Sequence, residues 1–209
     1  MVYVRTLLLV MCASVAVGEE LPILWAVPGQ FPPTLRDIAG RLPRDTQARE
    51  PDLITYAHEG SHFLCRGRPG YHAIYIGNGD RWEIPTPPLV TEEVFAAIPA
   101  GSRTNSFSKS LYQTYLQQGR SDYWHRQPLM ILDEWRAYTV GSHVRQELGV
   151  QSRGETVAHA ETLARYAKQL HTMASEIPEY DMAELTKFCR WNLGECYRIK
   201  GFRTDVRFD

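Results

Sequence analysis

The chain has 209 residues, 44% of them hydrophobic and 22% charged, which is the composition of one well-cored globular domain and argues against a disordered chain. Its formal net charge of -1 leaves no basic excess for nucleic acid or an anionic membrane surface, so neither is expected as its main partner.

The first residues read as an export signal. Arg5 supplies a positive start, residues 7–17 an apolar run, and Ala16-Val17-Gly18 the small residues that a signal peptidase requires. The run is shorter than the roughly 20 residues that span a bilayer. A removable signal over residues 1–18 is therefore expected, giving a secreted or periplasmic protein with no stable membrane insertion afterwards. A lipoprotein signal at Cys12 fits less well, because Met11 stands where such signals carry a small residue; a buried N-terminal helix is the other reading. Cleavage leaves Cys65, Cys189 and Cys196. Export permits a disulfide, and Cys189 and Cys196 are close enough in sequence to close a small loop, but the odd count leaves one thiol over and the pairing open.

Residues 19–50 form a proline-rich N-terminal arm. Pro22, Pro28, Pro32, Pro33 and Pro43 forbid long helices there, apart from a turn or two at 34–41. The arm reads as an extended segment wrapping the domain or, alternatively, as a propeptide. The domain proper occupies residues 51–209. Its first helix starts at Pro51-Asp52, a favourable helix-starting pair, and runs to about Cys65 before Gly67 and Pro69 stop it. Two β-rich runs at 71–76 and 81–84 flank Gly77-Asn78-Gly79-Asp80, which predicts a β-hairpin ended by Pro85, Pro87 and Pro88. A short helix is predicted at 91–97, followed by helices at 106–118, 128–148, 155–176 and about 179–193. In the fourth of these five, Val157, Leu163, Tyr166, Leu170 and Met173 recur at the spacing of one apolar face, and Pro178 ends the pattern. There is no internal repeat. The expected fold class is α+β, a mainly helical domain with one small sheet.

The chemistry is concentrated on the first helix of that domain. His58 and His62 are four apart, share a face, and can hold one small ion between them. Glu59 falls beside that ion, where it can take a proton from water that the metal has made more acidic. Tyr56-Ala57 and Phe63-Leu64 suit a helix, whereas Gly60 costs it about 1 kcal/mol against alanine. The plain alternative is a surface helix with two polar histidines. A catalytic zinc takes three protein ligands, and the best third candidate is Glu134, with Asp133 as the other choice. Both follow the apolar run 128–132 inside a predicted helix, where a buried carboxylate needs a cation to offset its desolvation. A surface salt bridge to Arg136 or Arg145 is the ordinary reading of the two acids. Tyr138 shares a face with Glu134, and Gly141, one turn on, would let another backbone or a substrate come close.

The segment His58-Glu59-Gly60-Ser61-His62, followed by a second helix offering a glutamate, resembles the zincin metallopeptidases in the branch whose third ligand is glutamate. The resemblance covers those two segments and not the whole chain. It implies a zincin-like metallohydrolase domain with Zn2+ as cofactor, held by His58, His62 and Glu134. It further implies Glu59 as general base, Tyr138 or alternatively His143 as the oxyanion partner, and a peptide or amide as substrate. In that family a sheet precedes the motif helix, whereas here the hairpin follows it.

Two rival readings fit other parts of the sequence. The run Tyr71 to Gly79 locally resembles the histidine box of papain-like lipid acyltransferases, which implies that His72 activates Cys189 or Cys196. The other reading of His72 is a strand residue hydrogen-bonded beside the zinc helix. A non-catalytic binding module stapled by zinc is the remaining possibility, with Cys65 as an added ligand; such sites are cysteine-rich and have no use for Glu59. Trp124, Trp135 and Trp191 read as packing residues. Peptides, peptidoglycan cross-links and small amides all suit the expected chemistry.

Overall fold

In the computed structural model, the residues described are 31–43, 52–65, 67–98, 127–150 and 154–209. The expected signal, the rest of the proline-rich arm, Trp124 and the helix expected at 106–118 lie outside these residues. The described residues form α1 (Pro33–Arg41), α2 (Leu53–Phe63), β1 (Tyr71–Gly77), β2 (Asp80–Pro85), α3 (Thr91–Ala97), α4 (Met130–Glu147), α5 (Gly154–Ser175) and α6 (Ala183–Tyr197). β1 and β2 pair antiparallel, so the mainly helical α+β architecture expected from the sequence is the one found. No helix among the described residues is long and apolar enough to cross a membrane.

Local chemistry explains where these elements begin and turn. Asp52 caps α2, its carboxylate accepting the backbone N–H groups of Ile54 at 2.8 Å and Thr55 at 2.9 Å. The hairpin reverses through Asn78 and Gly79, whose φ angles of 53° and 84° lie in the left-handed region that these two residue types tolerate best. The strands run in register from the Tyr71–Pro85 pair, with an irregularity between Tyr75 and Gly77. The last helix starts and ends later than the sequence suggests, at Ala183 and Tyr197.

Part of the arm belongs to the core and is not merely wrapped around it. Pro33 opens α1, which buries Leu35 and Ile38 in a cluster with Ile54, Ala57, Leu64, Tyr75, Val140 and Val144. A Cβ at Gly60 would lie 2.7 Å from Ile38 Cγ2 and 3.0 Å from Leu42 Cδ1. The glycine that weakens the α2 sequence as a helix is thus the residue that admits α1 against it. Asp37 then ties α1 to the hairpin, accepting from the Tyr75 hydroxyl and from Asn78 N–H.

A second, larger cluster joins α3, α5, α6, the sheet and the C-terminal tail through residues such as Ile74, Leu132, Trp135, Leu163 and Phe188. Helix α4 runs between the two clusters and is buried on nearly every side. Its acids therefore lie in the interior. Cys65, Cys189 and Cys196 are all free. The small disulfide loop that Cys189 and Cys196 could have closed does not form, because both sit on the continuous helix α6. Two turns separate them by roughly 10 Å of axial rise, beyond the reach of a disulfide.

Candidate metal centre

Helix α4 packs on α2 where Gly141 faces Ile54 and His58. A Cβ at Gly141 would meet Ile54 Cγ2 at 3.4 Å and His58 Cβ at 3.9 Å, which is ordinary contact. The close neighbour expected at Gly141 is thus the backbone and side chains of α2. Two turns earlier on α4, Asp133 and Glu134 reach the histidines of α2, and each acid takes a different part of them.

Glu134 faces the outer ring nitrogens. Its Oε2 is 3.5 Å from His58 Nε2 and its Oε1 is 3.4 Å from His62 Nε2. The two Nε2 atoms are 3.3 Å apart. One ligand atom from each of His58, His62 and Glu134 thus falls within 4.8 Å of the others, a spacing that one metal ion would satisfy. Asp133 lies outside this group and backs the opposite nitrogen, with Oδ1 3.1 Å from His62 Nδ1. Both acids are only 3% exposed, and Glu134 Oε2 has no hydrogen-bond donor among the described residues. The surface salt bridge to an arginine is therefore not what these acids make. The Arg136 guanidinium instead donates to Tyr75 O at 3.2 Å and Ile76 O at 3.1 Å, under the ring of Trp191.

The electrostatics of the group set its buried acids against its histidines. Burial alone would raise both carboxyls; the neighbouring histidines outweigh it, holding Glu134 down at about 2 and Asp133 well below the usual carboxylate range. Burial likewise would lower His62, but Asp133 and then Glu134 raise it well above an ordinary histidine. Two buried carboxylates thus favour positive charge on the His62 imidazole. Two imidazole nitrogens and one carboxylate oxygen, with a second buried carboxylate behind them, form a donor set that could hold a divalent ion of the zinc type.

Glu59 and Tyr138 stand beside this group. Glu59 Oε1 is 3.8 Å from His58 Nε2, outside the three ligand atoms, and its residue is 8% exposed. The Tyr138 ring meets the His58 ring edge-on, with centroids 4.4 Å apart. Tyr138 also meets His159 of α5, again edge-on, with centroids 4.5 Å apart. Sequence reasoning missed His159, because its neighbours Val157 and Ala160 mark an ordinary apolar helix face. Burial, then the nearby His58, pushes the His159 imidazole down to about 3, against the opposing pull of Glu134. It is a neutral group at physiological pH.

Other expected participants are elsewhere. His143 lies on the α6 side of α4, its Nε2 3.7 Å from Glu195 Oε2, so it is not the partner of an oxyanion beside His58. Cys65 approaches Asp133, not the ligand group, with Sγ 3.2 Å from Oδ1. His72 also faces Asp133, its Nε2 3.5 Å from Oδ2. Cys189 and Cys196 are fully buried. Burial raises the Cys189 thiol against the pull of Lys168 and holds Cys196 up at about 12 against that of Arg136, and neither has the exposure of a nucleophile. Trp135 packs on Phe208 and Trp191 on Trp82, consistent with packing roles.

No family model, curated protein or solved structure matches the chain. The functional reading therefore rests on the site itself.

Proposed function

We propose that the chain is a zinc-dependent hydrolase of the metallopeptidase type, acting on a peptide or amide substrate, with Zn2+ held by His58, His62 and Glu134. The observation that carries this reading is the convergence of three donor atoms from two helices within 4.8 Å, with a fourth polar side chain, Glu59, beside but outside them. When bound, zinc supplies Lewis acidity, polarising the substrate carbonyl and making water a better acid.

The remaining work belongs to the chain's own residues. Glu59 takes the proton of the attacking water and passes it to the leaving nitrogen; its 3.8 Å distance to His58 Nε2 leaves it within one water of the reacting centre. Tyr138, ordered between His58 and His159, donates its hydroxyl proton in a hydrogen bond to the oxygen that becomes negative in the transition state. A purely structural zinc site would be closed by a fourth protein ligand, and the group found among the described residues has three. The export signal read over residues 1–18 assigns the mature enzyme to a secreted or periplasmic location.

Glu59→Gln should retain zinc and abolish hydrolysis, because it removes the base without removing a ligand. Tyr138→Phe should also retain zinc and lower turnover by a factor on the order of 10²–10³, the loss expected for one oxyanion donor. Metal content and amide turnover, measured side by side, check both. Undiminished turnover in Glu59→Gln would refute the mechanism even with zinc in place.

A further inference from the structure

A histidine and a cysteine that the hydrolytic mechanism does not use converge on one buried carboxylate. Asp133 Oδ1 lies 3.1 Å from His62 Nδ1, an ion-pair contact and not an in-line hydrogen bond, and it also accepts from Cys65 Sγ at 3.2 Å. Asp133 Oδ2 lies 3.5 Å from His72 Nε2, likewise an ion-pair contact and not an in-line hydrogen bond. The carboxylate is thus approached at both oxygens from three segments: α2, the turn after it, and β1. The Cys65 thiol has one proton and two acceptors within reach, Ser61 O and Asp133 Oδ1, each at 3.2 Å. The charged oxygen is the stronger acceptor. The sulfur in turn accepts the backbone N–H of Tyr75 at 3.3 Å.

Strand β1 therefore reaches Asp133 twice, through the His72 side chain and through the Tyr75 backbone acting on Cys65. Arg136, three residues beyond Asp133 on α4, donates to Tyr75 O and Ile76 O and fastens the same strand to the helix that carries the acid. A histidine that binds a metal through Nε2 carries its proton on Nδ1. The group opposite Nδ1 then fixes the tautomer and the angle of the ring.

We infer that the β-hairpin is part of the metal site's support, with His72 and Cys65 as positioning residues that hold the Asp133 carboxylate against His62 Nδ1 and thereby aim His62 Nε2 at the ion. The inference rests on the zinc reading above, and it gives a role to two residues that a three-ligand site leaves unexplained.

The test uses the full mature protein, its zinc affinity measured by competition with a chromophoric chelator and its visible absorption measured with Co2+ in place of zinc. Cys65→Ala and His72→Phe each remove a group facing Asp133, whereas Cys65→Ser and His72→Gln keep a donor at similar reach. The two removing variants should bind zinc about 10- to 100-fold more weakly and shift the cobalt bands, and the two conservative ones should recover most of both. Thermal unfolding of the metal-free proteins reports on the fold separately. If all four variants lower only the melting temperature and leave affinity and cobalt bands unchanged, the inference is wrong. It is equally wrong if Cys65→Ser weakens zinc as much as Cys65→Ala, since the donor would then be irrelevant. Should the unaltered protein bind neither metal, the zinc reading itself falls, which is a different failure.

Discussion

Histidine–glutamate contacts lie on two sides of α4. On the side toward α2, His62 Nε2 meets Glu134 at 3.4 Å; on the side toward α6, His143 Nε2 meets Glu195 at 3.7 Å. The distances are similar, yet the surroundings are opposite. Around His62 gather His58 and a second buried carboxylate, Asp133, and the imidazole is raised because the two acids overcome its burial. Around His143, burial and then the Arg136 guanidinium keep the imidazole below its usual value, and Glu195 already has Arg198 at 2.9 Å. One cluster has more anionic and lone-pair donors than local positive charge, and the other has its anion matched. A metal centre is recognised by that excess, not by a single histidine–carboxylate pair.

The largest expected effect breaks the two contacts one at a time. Glu134→Ala should release zinc, because it removes one of three ligands, while Glu195→Ala should leave zinc content unchanged. Elemental analysis of the purified variants checks this; equal zinc in both would remove the distinction between the two faces of α4. His62→Ala against His143→Ala should repeat the pattern.

A second contrast sharpens the account of how α2 is held. Gly60 and Gly141 both lie on helices that frame the site, but only Gly60 has no room for a side chain. Gly60→Ala gains roughly 1 kcal/mol of helix propensity and meets an overpacking cost of about 1–3 kcal/mol against Ile38 and Leu42, so net destabilisation of up to about 2 kcal/mol is expected. Gly141→Ala should instead be neutral or stabilising by up to about 1 kcal/mol, since its Cβ makes ordinary contacts. Denaturant unfolding of the two variants gives the comparison, and a stabilised Gly60→Ala would contradict the packing of α1 on α2.

The smallest effect concerns pH. His143 has a folded value below the unfolded value of about 6.5, so the fold favours its neutral form. The stability this confers is present above about pH 6.5 and is lost as pH falls through the folded value. His143→Gln should therefore lose less stability than the unaltered protein between about pH 7 and about pH 5. Identical losses would show that His143 is not the group held neutral.

These contrasts also mark what could be read from the sequence. The start of α2, the hairpin and the course of α5 were legible because each depends on near neighbours: the Asp52 cap, the Asn78-Gly79 turn, and apolar spacing along one helix. The pairing of His58 and His62 was legible for the same reason, being a four-residue spacing within one helix. The division of labour between Asp133 and Glu134 was not, because it depends on how α4 crosses α2. Nor was the separation of His143 from the site, although nine residues from Glu134 carries it half a circle around the helix. His159 and the convergence of Cys65 and His72 on Asp133 join segments distant in the chain, and no local pattern signals them. The cost of Gly60 to its helix was visible in the sequence, but its cause lies in α1.

The most direct test of the central claim is metal stoichiometry of the purified mature protein, read together with its melting temperature before and after chelation. About one zinc per chain is expected, as three-ligand sites hold, with a lower melting temperature once the zinc is removed, because a ligand bound only by the folded state stabilises it. A protein that holds no transition metal, and whose melting temperature does not move when zinc is added, would contradict that claim.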